Sequence, residues 1–178
     1  MANRDNHYEA AFEGFLRSRQ IPYIAVDEAK RSLMAEGSLK SLDFIISRRQ
    51  GTSWLVDVKG RRFPSGDQQH QYWKNWSTRD DLRSLAAWER LFGVGFQGLF
   101  VFAYNIVGSR SPVAAAQLYE FRGSLYGFIG IRLADYVSNA RPISAAWDTL
   151  AMPTGEFRNR AAPLDLFLAP DAACPVAG

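Results

Sequence analysis

At 178 residues the chain has the length of one domain and enough material for a hydrophobic core of its own. Its composition, 47% hydrophobic and 22% charged, excludes a disordered polymer; one cysteine excludes a disulfide framework and a cysteine-rich zinc site, and two histidines argue against a multi-histidine metal centre. The net charge of +3, with 17 Arg and 4 Lys against 18 acids, is compatible with a polyanionic partner and does not by itself establish one.

Apolar runs such as Phe96–Tyr104 are too short to span a bilayer, and the opening MANRDNHYEA has no signal-peptide pattern. The expectation is a cytoplasmic α/β protein with no membrane contact. Arginine forks suit phosphate oxygens, and the scarcity of lysine makes the place of each one informative.

In chain order, Asp5 and Asn6 are candidate N-caps for a helix from His7 to Arg19, whose Tyr8, Phe12, Phe15 and Leu16 recur at helical spacing. Pro22 follows, then a short strand at Tyr23–Val26. A polar stretch, Asp27–Lys40, leads to strand Ser41–Ser47, a turn at Arg48–Gly51 and strand Thr52–Lys59. Gly60–Arg79 reads as a loop. Thr78 caps a helix from Arg79 to Phe92, with Asp80 and Asp81 in the first turn where the helix dipole favours carboxylates. Gln97–Tyr104 is a continuous apolar strand suited to the centre of a sheet. Gln117–Phe121 and Leu125–Ile131 flank a hairpin turn, and Leu133–Asn139 reads as the last helix. Residues 1–150 are expected to form the domain, and 151–178, rich in Pro and Ala, an arm or partly ordered tail.

Two carboxylates interrupt apolar strands: Asp43 in LDFII and Asp57 in WLVDVK. A three-residue loop of Arg49, Gln50 and a left-handed Gly51 sets Arg48 opposite Thr52, so paired residue numbers sum to 100. Asp43 then faces Asp57 on one side of the ladder, and the period of two puts Lys59 there as well. Opposed like charges destabilise a ladder, and a divalent cation removes the conflict. Mg²⁺, with Mn²⁺ as substitute, takes such oxygen donors, the Val58 carbonyl among them. Lys59 would position or help deprotonate the attacking water and offset charge at phosphorus. The competing reading makes both acids ordinary strand-end partners of arginines, with Lys59 solvated.

The pattern Asp43…Asp57-Val58-Lys59, preceded by a helix carrying Glu9, resembles the PD-(D/E)XK nuclease superfamily and is similar to archaeal Holliday junction resolvases. Leu42 stands where the motif name has Pro. The string His7–Glu13, HYEAAFE, also resembles the uncharacterised HYExAFE family. The resemblance implies a restriction-endonuclease-like core, αβββαβ, with a central mixed sheet of four to five strands flanked by helices, followed here by a hairpin and a helix. It further implies catalytic roles for Glu9, Asp43, Asp57 and Lys59, and a metal site of Asp43, Asp57, Val58 and Glu9. Glu13 is either the alternative helix acid or a surface partner of Arg17 or Arg19, and His7 is either a phosphate contact or a packing residue.

After Lys59, the residues Arg61, Arg62, His70, Trp73, Lys74, Trp76 and Arg79 interleave cations with rings, as a nucleic-acid-contacting loop does. Gln68 and Tyr72 have a Gln-x-x-x-Tyr spacing similar to that of RecB-like nucleases. The tryptophans can equally anchor the loop to the core. The expected function is a Mg²⁺-dependent nuclease, an endonuclease of DNA in repair, recombination or defence, with DNA as partner and a homodimer as one expected assembly. The alternative is a non-catalytic nucleic-acid-binding module, or a nuclease-like subunit, on the same fold.

Overall fold

The computed structural model describes residues 6–26, 32–34, 37–48, 51–65, 73–144, 146 and 148–169. The first helix, α1 (His7–Ser18), is capped by Asn6, whose side chain accepts the Tyr8 N–H. Its Ala11, Phe12, Phe15 and Leu16 are buried, as the helical spacing requires. Strands β1 (Tyr23–Ala25), β2 (Ser32–Met34), β3 (Gly37–Leu39), β4 (Phe44–Ile46), β5 (Ser53–Phe63) and β6 (Ser77–Thr78) follow, then helix α2 (Arg79–Phe92). Next come β7 (Phe96–Ile106), β8 (Tyr119–Phe121), β9 (Ser124–Arg132), α3 (Leu133–Asn139), β10 (Arg141–Ser144) and β11 (Thr149–Ala151). Helix α4 (Thr154–Arg160), β12 (Ala162–Pro163) and α5 (Asp165–Leu168) complete the order.

The main sheet runs β1-β4-β5-β7-β9-β12, with β8 also paired to β9. It is mixed: β5 and β7 are parallel from Ser53↔Phe96 to Phe63↔Ile106, and the other pairs are antiparallel. Parallel neighbours need a crossover, and α2 supplies it. The two faces carry separate cores. On one, α1 packs Phe12, Phe15 and Leu16 against Phe44, Trp54, Val56, Val58 and Val101. On the other, Leu85 of α2, Tyr136 of α3 and Phe157 of α4 meet Leu55, Phe63, Phe100 and Phe102. Close approach of α1 needs the bare backbone of Gly60, because a Cβ there would lie 2.1 Å from the Tyr8 ring.

The hairpin arithmetic holds. Phe44 pairs with Val56, Ile45 with Leu55 and Ile46 with Trp54, each pair summing to 100, and Gly51 has the left-handed φ of 83°. Four expectations change. The sheet has seven strands instead of four to five, because both strands of the expected hairpin, β8 and β9, and also β12 join it. The loop expected from Gly60 begins later, since pairing with β7 carries β5 to Phe63. The stretch Asp27–Lys40 contains the β2–β3 hairpin. Leu133–Asn139 is not the last helix: α4 and α5 lie in the stretch expected to be an arm. Phe157 and Leu164 there are buried, because the period of α4 turns Phe157 inward and β12 docks on β9. No helix among the described residues is long and apolar enough to cross a membrane.

Candidate active site

Strand β4 stops at Phe44, one residue short of Asp43, and the Asp43 side chain takes over where the ladder ends. The Asp43 N–H still reaches the Val56 carbonyl at 3.0 Å, while Asp43 Oδ2 accepts the Val58 N–H at 2.5 Å. A carboxylate thereby replaces a backbone acceptor on the edge of β5. This holds it on the strand that carries Asp57, and Asp43 is only 7% exposed.

From β5, alternate residues face alternate cores. Val56 and Val58 pack towards α1, whereas Leu55 belongs to the α2 face. Lys59 follows Leu55 to that face, where its Nζ stands 5.9 Å from the centre of the Phe100 ring. It donates to Asp57 Oδ1 at 2.8 Å and lies 3.1 Å from Asp81 Oδ2. Lys40, at the end of the segment before β4, meets Asp81 Oδ1 at 2.8 Å and Asp80 at 3.7 Å. Lys40, Ser41, Asp43, Asp57, Val58, Lys59 and Asp81 line one cleft of about 310 Å³.

Three carboxylates against two ammonium groups leave this wall acidic when all are ionised. Burial raises the proton affinity of Asp57; Lys59 opposes that rise and Asp81 adds to it. Burial works against the Lys59 ammonium, yet Asp57 and Asp81 together hold its pKa above the ordinary lysine value. Burial also works against ionised Asp81, but Lys59, Lys40 and the Thr78 N–H keep its pKa well below the ordinary carboxylate value. The cleft thus contains one strongly ionised acid and one reluctant one.

Among the described residues no three His, Cys, Asp or Glu side chains converge as a ready metal cage. The donor set still fits Mg²⁺, which is bound through one or two carboxylates and keeps several waters. Asp43 and Asp57 are hard oxygen donors on one wall, and the acidic surplus is what a divalent cation neutralises.

Other candidates fall elsewhere. Glu9 is buried, 2% exposed, on the α1 side; it accepts a hydrogen bond from Asn6 and does not line the cleft. Glu13 pairs with Arg17 at 2.7 Å and accepts the Tyr23 hydroxyl at 2.8 Å, as a surface acid does. His7 contacts the Tyr126 hydroxyl through Nδ1 at 2.7 Å, a packing arrangement.

The expected DNA-facing loop is also narrower than its sequence suggests. Arg61 stands on β5 with its guanidinium 3.9 Å from the Trp76 ring centre, and it donates to the Gly60 and Trp76 carbonyls. Trp73 sits edge-on to Phe63, Tyr104 and Phe157, so it anchors to the core. Strand pairing explains the first displacement and aromatic burial the second. Arg62, Lys74, Trp76 and Arg79 are exposed, and Arg79 pairs with Asp148 at 2.8 Å. Gln68, His70 and Tyr72 lie outside the described residues.

Sequence reasoning did not assign Asp81 or Lys40 to the site. Asp81 reads as a capping residue, which it is: Thr78 and Asp81 exchange hydrogen bonds in a capping box. Its second role depends on α2 crossing over Lys59, a tertiary fact without a local signature.

No family model matches the chain, and no curated protein matches it. The HYEAAFE likeness therefore rests on those seven residues alone. Among solved structures the chain is similar to Hjc, a Holliday junction resolvase from the archaeal hyperthermophile Archaeoglobus fulgidus, with a TM-score of 0.57 at 12% identity. The likeness covers 92% of this chain and 98% of that one. The fold is the restriction-endonuclease-like one: a central mixed sheet flanked by helices.

Proposed function

We propose that the chain is a metal-dependent nuclease that hydrolyses phosphodiester bonds of DNA. The observation that carries this reading is the cleft itself: Asp43, Asp57 and Lys59 share one wall on a resolvase-like fold. The similarity to a Holliday junction resolvase makes branched DNA the first substrate to try.

Asp43, Asp57 and the Val58 carbonyl are the groups that would hold Mg²⁺ or Mn²⁺; Glu9, on the α1 side and outside the cleft, is not among them. When bound, the ion supplies Lewis-acid polarisation of a phosphoryl oxygen and acidifies the attacking water. The chain's own part is electrostatic and positional. Asp43 is held at the cleft by its hydrogen bond from the Val58 N–H. Lys59 is held as an ammonium by two carboxylates, so it is a poor general base; its Nζ–H groups orient water and offset the charge that grows on phosphorus. Arg62, Lys74 and the exposed part of Trp76 are the proposed contacts to the rest of the nucleic acid, the cations to phosphates and the ring to an unstacked base.

A binding-only module has no use for a carboxylate that takes the place of a backbone acceptor beside a second carboxylate. The test is incubation with duplex, single-stranded, flapped and four-way DNA and with RNA, in Mg²⁺, Mn²⁺ or EDTA. Cleavage of a DNA form that requires the metal supports the reading. DNA binding without cleavage in either metal supports the module.

A further inference from the structure

We propose that Asp81 is the positioning residue for Lys59, so that the working site extends from β5 onto the first turn of α2. This deepens the nuclease reading and, for its catalytic part, rests on it.

The argument begins with what Asp81 binds. Its Oδ2 accepts the Thr78 N–H at 2.9 Å and the Ser77 hydroxyl at 3.0 Å, and stands 3.1 Å from Lys59 Nζ. Its Oδ1 takes Lys40 Nζ at 2.8 Å. The side chain is 7% exposed, whereas a capping acid needs only a backbone contact and can remain in water. Fixed on four sides, it cannot follow a moving partner, and the partner must come to it.

The second step concerns Asp57. It is the other counter-ion of Lys59, and in the proposed reaction its carboxylate is engaged by the metal. An ammonium held by Asp57 alone would then lose its anchor and be repelled by the ion. Asp81 approaches from a different element, α2, and keeps Lys59 in the cleft. Lys40 balances the charge that this adds. Its backbone is fastened to the same helix, its N–H by Ser84 and its carbonyl by the Trp88 indole. Burying a carboxylate for capping alone is an expensive solution, and two lysines from separate segments make it a cheaper one.

Two measurements on the full-length protein test this. The first needs no metal and no substrate: the side-chain ammonium signal of Lys59, followed by NMR in ¹⁵N-lysine-labelled protein. The signal should persist in Asp57→Asn, where Asp81 remains as a charged anchor, and broaden beyond detection in the Asp57→Asn/Asp81→Asn double variant. Loss already in Asp57→Asn, or persistence in the double variant, overturns the proposal, whatever the activity of the protein.

The second is kinetic and uses a crossed pair. Asp81→Asn keeps an acceptor for the cap and removes the charge, whereas Thr78→Ala removes the cap hydroxyl and leaves the charge. The expected result is a tenfold or larger fall in kcat for Asp81→Asn with KM within about threefold, and recovery of part of the loss in Asp81→Glu. Thr78→Ala should lower Tm with kcat within about twofold. Loss of kcat in proportion to loss of Tm in both variants makes Asp81 a helix cap only. If the wild-type protein cleaves no substrate, the nuclease reading fails, and the ammonium signal still decides the positioning claim.

Discussion

Asp43 accepts the backbone N–H of Val58 at 2.5 Å across the end of a hairpin, and this bond ties its carboxylate to the strand that carries Asp57. Removing the acceptor should be felt in stability. Asp43→Ala leaves a buried N–H without its partner and should cost about 1–3 kcal/mol in urea denaturation. Asp43→Asn keeps an acceptor and should cost less. An Asp43→Ala protein as stable as wild type contradicts this account of the site.

Metal should act on stability through Asp57. Burial raises the proton affinity of Asp57 against the pull of Lys59, so Asp57→Asn in EDTA should have a Tm equal to or above wild type. Added Mg²⁺ or Mn²⁺ should raise the wild-type Tm and leave that of Asp57→Asn unchanged, because binding to the native state alone stabilises it. Equal responses from both proteins would place the ion elsewhere.

The same groups set opposite pH dependences. Asp81 has a lowered folded pKa, so its stabilisation is present above the ordinary carboxylate value and is lost as pH falls through the folded one. Asp57 has a raised folded pKa; its contribution favours the folded state at low pH and is lost as pH climbs from the ordinary value through the raised one. Lys59 is also raised, so its contribution is complete below the ordinary lysine pKa and is lost at more alkaline pH. Carboxyl ¹³C titration should show Asp57 losing its proton at higher pH than Asp81. The reverse order would contradict the charge arrangement of the cleft.

Neighbouring arginines should behave differently. Arg61→Ala removes the stack on Trp76 and should destabilise the fold by about 1–2 kcal/mol. Arg62 and Lys74 are exposed, and their replacement by Ala should change stability by no more than about 0.5 kcal/mol. If both touch phosphates, the double variant should flatten the dependence of log K on log salt by up to about two units. An unchanged slope would move the binding surface elsewhere.

The sequence made the local relations legible. Gly51 and a three-residue loop sufficed to set the register of β4 on β5, and the Thr78 cap and Gly93 gave both ends of α2. What depends on packing was not legible. Arg61 looks like a free cation beside polar neighbours, and Trp73 reads equally as a nucleic-acid contact or a core anchor; only the pairing of β5 with β7 and the cluster around Phe157 decide that both are held against the fold. Asp81 kept its visible role as a cap while its contact with Lys59 waited on the crossover of α2. The segment after Met152 reads as a tail because Pro and Ala carry little periodicity, yet Phe157 and Leu164 fill the two cores.

The most direct test of the central claim compares binding and cleavage in one experiment. Wild type, Asp57→Asn and Lys59→Ala are mixed with a labelled four-way junction and its duplex and single-stranded arms, in Mg²⁺ and in EDTA. The account predicts metal-dependent cleavage by wild type, with cleavage at least about a hundredfold slower in both variants while DNA binding is retained. Cleavage by both variants at the wild-type rate, or binding by all three proteins with no cleavage by any, would contradict it.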